Sequence, residues 1–162
     1  MSSTTRPSRA LSIGSTLTSI AGLFPLAVSL YLLLNLASSV GNPEAPFSGD
    51  QLTGPSPYSL DEIAAMNPTL AVNHVLGLHV GYVNVANTGA VVLVLSFFGL
   101  RRGARWAWFT LLAVFLWVGV NDAIAFHRAS QPPLPLVAET FGLLGLGFAY
   151  RPIFGHNPPG GR

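Results

Sequence analysis

Four long apolar stretches fill most of this 162-residue chain, and charge almost never interrupts them. They cover residues 17–40, 75–100, 106–126 and 134–150. A helix needs about 20 mostly apolar residues to cross a bilayer, and only the last stretch is short. Charged residues make up 9% of the chain, against about 25% in an average soluble domain. So small a soluble domain has too much surface for its volume to manage with so little charge. None of the stretches alternates like a barrel strand, and lipid leaves backbone groups no partner outside a helix. The expectation is an all-α membrane protein: four transmembrane helices in a bundle, plus a short amphipathic helix in the first outer loop.

The connections set the orientation. Residues 41–67 are polar, rich in Gly, Pro and Ser, and hold Glu44, Asp50, Asp61 and Glu62 but no arginine. The second connection, Arg101-Arg102-Gly103-Ala104-Arg105, is tight and basic. Arg6, Arg9, Arg151 and Arg162 lie on the same side as that turn, while the first and third connections hold only Arg128. Cytoplasmic segments carry the excess of basic residues, so both termini and the basic turn are expected inside. Residues 1–16 then form a cytoplasmic tail, 17–150 the membrane domain and 151–162 a disordered cytoplasmic tail. Arg101, Arg102, Arg105 and Arg151 would anchor the inner face together with Trp106, Trp108 and Tyr150. Arg6, Arg9, the first apolar run and Ala37-Ser38-Ser39 also fit a signal peptide, although the run exceeds the usual core of about 7–15 residues.

The outer loop carries local signals. Ser59-Leu60-Asp61-Glu62 matches a capping box and predicts a short helix to about Met66. Asn67-Pro68 reads as an N-cap followed by proline at the first helical position, which starts the second long helix above the bilayer.

Leu52-Thr53-Gly54, Ser59-Leu60-Asp61-Glu62, Asn67-Pro68 and the turn Arg101-Arg102-Gly103-Ala104-Arg105-Trp106-Ala107-Trp108 together resemble a group of small bacterial four-helix membrane proteins. The resemblance covers roughly residues 50–150, and its most recognisable part is the basic, tryptophan-rich turn. The group carries no assigned activity. The resemblance therefore implies an architecture and a bacterial inner membrane location, and no chemistry.

Polar side chains in lipid are costly and usually have a task. Counted by helical rise, Asn84 and Asn87 lie about 25 and 21 Å above Arg101, and Asn121 and Asp122 about 24 and 25 Å above Arg105. Glu139 lies about 18 Å above Arg151. All five fall in the outer half of a core about 30 Å thick, and Asn35, His74 and His79 extend the group. On the second helix Asn73, Gly77, Gly81, Asn84 and Thr88 share a stripe, in which Gly77 and Gly81 form a GxxxG pair that lets another backbone approach. On the third, Trp106, Thr110, Ala113, Trp117 and Asn121 line up, with Asp122 turned away. On the fourth, Gly142 and Gly145 make a packing seam with Ala138 and Ala149.

Several chemistries are excluded. The chain has no cysteine and no lysine, so thiolate and lysine Schiff-base chemistry are absent. No HExxH, phosphate loop or nucleophile elbow is present, and the spacing of His74, His79, Asp122, His127 and Glu139 matches no metal motif. The arginines are scattered, so no nucleic-acid patch forms. Neither a cofactor nor a catalytic set can be named. The expected partners are the bilayer and another membrane subunit or a homo-oligomer. The expected function is an accessory or binding protein that holds a lipophilic ligand or membrane partner at the outer polar cluster. The alternative is a small intramembrane enzyme using Glu139 and Asp122 as acid and base.

Overall fold

A computed structural model describes residues 8–36, 60–129 and 135–155. All regular structure among them is helical. The elements are α1 (Arg9–Leu34), α2 (Leu60–Met66), α3 (Pro68–Val94), α4 (Arg105–Ala129) and α5 (Pro135–Phe154). The capping-box Ser59, the first loop before it, the Ala37-Ser38-Ser39 site and residues 156–162 lie outside the described residues.

Local chemistry explains the helix ends. Ser8 caps α1, its side chain accepting from the Leu11 N–H at 3.3 Å. The helix therefore begins at Arg9, inside the segment expected to be a tail. Asn67 caps α3 by accepting from the Leu70 N–H at 3.1 Å, with Pro68 in the first turn, as the Asn-Pro pair predicts. At its far end α3 widens into a π turn, Leu95–Gly99, and then tightens into a 3-10 turn, Leu100–Arg102. Gly103, at φ 74°, ends it. That left-handed conformation suits glycine, and it turns the chain straight into α4. The second departure is at the C-terminal end. α5 runs through Pro152 to Phe154, four residues past the expected boundary, because Ile153 is buried and Phe154 stacks on Trp108 and Tyr150 at 5.2 and 5.1 Å.

α1 is the hub. It packs along both α3 and α5, and α4 packs on α5 and on the π turn. Glycines let these backbones touch. A Cβ added at Gly22 would stand 2.7 Å from the Gly89 carbonyl oxygen, and one added at Gly14 would stand 2.6 Å from that of Gly145. Thr18 is fully buried beside Gly145, and its hydroxyl donates back to the Gly14 carbonyl at 3.0 Å. Gly142 is buried where the Phe115 ring covers it.

The Gly77–Gly81 expectation is overturned within the chain. Both glycines are exposed, with open space where a side chain would stand. α3 turns a different face inward, through Ala71, Leu78, Tyr82, Ala86, Gly89 and Val92. That face offers Gly89, with aliphatic side chains around it, to Gly22. The outward face carries the amides of Asn84 and Asn87, which have no complement on α1.

The outer surface is apolar: Leu34 is 86% exposed, Trp117 70% and Val72 66%. Three helices, Arg9–Leu34, Pro68–Arg102 and Arg105–Ile124, are long and apolar enough to cross a membrane. Apolar residues on every side of a helix are what lipid contact requires, and these three helices are consistent with a membrane protein. α5 has 20 residues, with Glu139, Arg151 and Pro152 among them.

Candidate carboxyl site between α4 and α5

The seam between α4 and α5 begins at its basic end with an aromatic cluster. Trp108, expected as an interface anchor, is half-buried and donates its indole N–H to the Leu146 carbonyl at 2.9 Å. It is therefore a clasp between helices, packed on Phe109, Tyr150 and Phe154. Trp106 and Tyr150 are exposed. Arg101, Arg102 and Arg105 lie over the rings of Phe97, Phe98 and Phe154 at 5.1, 5.8 and 5.7 Å, and Arg151 is exposed.

Further along, α4 turns Leu111, Phe115, Gly119 and Asp122 toward α5, spaced three or four apart as one helical face requires. Leu111 and Phe115 are buried in the seam, and Asp122 is only 9% exposed. The stripe of Trp106, Thr110, Ala113, Trp117 and Asn121 faces outward. From α5, Glu139 follows the buried Ala138 and is half-buried itself. Its carboxylate rests on Gly119, so closely that a Cβ there would collide with Oε1. Gly119 and Asp122 are one turn apart on one face of α4, so the Glu139 carboxylate that rests on Gly119 stands one helical turn from Asp122. Asp122 Oδ2 is buried with no hydrogen-bond partner among the described residues. A buried carboxylate oxygen without a donor is costly, so this arrangement calls for a cation, a proton or a donor group.

The other expected site residues are not gathered here. Asn121 is exposed and spends its amide on the Trp117 carbonyl at 2.8 Å. Asn35 donates from its amide to the Tyr31 carbonyl at 2.8 Å, at the end of α1. His74 is half-buried and His79, Asn84 and Asn87 are exposed on α3, which packs along α1. The eight-residue polar cluster is thus divided: a carboxyl pair in the α4–α5 seam, Asn121 exposed on α4, Asn35 at the end of α1, and His74, His79, Asn84 and Asn87 along α3. Among the described residues no group of three or more metal-ligating side chains exists. Gly119 is the residue that sequence reasoning missed. Its signal was its position one helical turn before a buried aspartate, where a missing side chain leaves room for an acid from the next helix.

No family model, curated protein or solved structure matches this chain.

Proposed function

We propose that this chain is an integral membrane binding protein whose site is the Asp122–Glu139 pair. The observation that carries the reading is the buried Oδ2 of Asp122, without a hydrogen-bond partner among the described residues, one helical turn from the Gly119 on which the Glu139 carboxylate rests. Ionisable residues at membrane depth face the interior and mark functional positions. A site of this kind receives the donor or cationic group of a lipophilic ligand or of a membrane partner. The uncovered amides of Asn84 and Asn87 favour a second membrane subunit, or another copy of this chain, against α3, since lipid cannot satisfy them.

In this reading α5 is the fourth crossing, and the basic turn and both termini face the cytoplasm. The seven-residue α2 lies with the first loop outside a bacterial plasma membrane, on the pattern of the four-helix group that the basic turn resembles. The test is mild detergent extraction followed by mass spectrometry of wild type and Glu139→Gln. A lipophilic molecule or subunit retained by wild type, and reduced severalfold by the folded variant, is expected. Equal retention, or none in either, refutes the reading. A second reading, acid–base chemistry on a lipophilic substrate, is favoured by one observation. Asp122 is buried and Glu139 is partly open, and unequal environments separate the roles of paired carboxyls.

A further inference from the structure

We propose that Asp122 and Glu139 hold one exchangeable proton between them, so that the α4–α5 seam is a proton-binding site. The inference rests on the binding reading above for its location, and it adds what occupies the pair. Two observations carry it independently. Asp122 is nine-tenths buried, and its Oδ2 lies within the seam without a donor. Gly119, one turn away on the same face of α4, leaves the space that the Glu139 carboxylate fills, and any side chain there would expel it. The backbone thus makes room for a second acid beside one that already lacks a donor.

Two adjacent carboxylates repel, and a site removed from water strengthens that repulsion. A single proton removes one charge and supplies the missing donor in the same step. In the exchange the proton passes between a Glu139 oxygen and an Asp122 oxygen, or between Glu139 and water at its exposed side. No carbon bond changes and no redox partner is needed. A metal ion fits less well, because hard cations take six or more oxygens and the described residues offer no third ligand.

Every element packed on the pair bears on this assignment. Among the described side chains, α4 adds Arg105 at its far end and an exposed His127, and α5 adds Arg151 near its C-terminus. α1, which also packs on α5, carries Arg9 at its start and Tyr31 near its end. His74 and His79 belong to α3, across α1. In sequence, Arg128 follows Asp122 by six residues, so it enters the test as its own variant.

The experiment uses the full chain in lipid vesicles and a lipid-soluble carbodiimide, which modifies carboxyl groups only when protonated. Modified peptides are located by mass spectrometry. Wild type is expected to be modified at Glu139 or Asp122 at about pH 7, with modification fading as pH rises. In Asp122→Asn the like charge is gone, and modification of Glu139 at about pH 7 should fall roughly tenfold. Arg128→Gln should match wild type. The proposal is overturned if neither acid reacts at about pH 6 while a denatured sample does, if Asp122→Asn leaves Glu139 reactivity unchanged, or if Arg128→Gln alters it. Should Asp122→Asn fail to fold, infrared difference spectra of wild type between about pH 5 and about pH 9 must contain a titrating protonated-carboxyl band. Its absence also overturns the proposal. Modification without any copurifying ligand would sink the binding reading alone, and a bound ligand without modification would sink only the proton.

Discussion

Replacing Gly89 with alanine tests the packing most directly. The new Cβ would stand 2.6 Å from the Gly22 carbonyl oxygen, 2.9 Å from the Leu26 nitrogen and 3.0 Å from the Leu26 Cβ. A relaxed carbon–oxygen contact needs about 3.4 Å, so α1 and α3 must part by roughly 0.8 Å. Two of the three obstructing atoms are backbone and cannot rotate aside. Forced overpacking costs about 1–3 kcal/mol, while alanine recovers up to about 1 kcal/mol of helix propensity over glycine. The net expectation is a loss of about 1–2 kcal/mol. Gly81→Ala is the matched control. It lies on the same helix but meets nothing within 4 Å, so only the propensity gain remains. The assay is reversible unfolding of the purified monomer by dodecyl sulfate titrated into mild micelles, followed by helical circular dichroism. Gly89→Ala should unfold earlier than wild type, and Gly81→Ala at or above the wild-type midpoint. A loss in Gly81→Ala equal to or greater than that in Gly89→Ala would refute the packing of α3 on α1.

Three further outcomes are expected. Gly119→Ala should displace the Glu139 carboxylate and reduce the severalfold ligand retention that depends on Glu139, while the fold persists; unchanged retention in the extraction experiment contradicts this. Trp108→Phe removes the indole donor to Leu146 and should cost about 1 kcal/mol in the same micellar unfolding assay, whereas Trp106→Phe, at an exposed position, should cost little. A reporter fused after Arg162 should be active only in the cytoplasm and one inserted near Gly49 only outside, because the arginines gather on one side. An external C-terminus would rule out the proposed topology.

Much of this protein is determined by sequence alone. The length and apolarity of its stretches require helices in lipid. Asn67-Pro68 marks where α3 begins, and Gly103 marks where the basic turn reverses. The spacing that turns Asp122 away from Trp117 and Asn121 is fixed by helical period, and so is the depth of both acids along their helices. Which faces meet is another matter. In a soluble helix the apolar side identifies the core, but here lipid and core are equally apolar and the pattern carries no such mark. The GxxxG pair at Gly77 and Gly81 therefore looks like a contact and is open, while Gly14, Gly22 and Gly89, on helices where nothing in the sequence distinguishes them, bring the backbones together. The same holds for the site. Sequence places Asp122 and Glu139 both in the outer half of the bilayer, on different helices and among six other polar candidates. Only the packing of α4 on α5, with Gly119 vacating the space between them, joins those two and leaves the histidines and asparagines of α3 on another face.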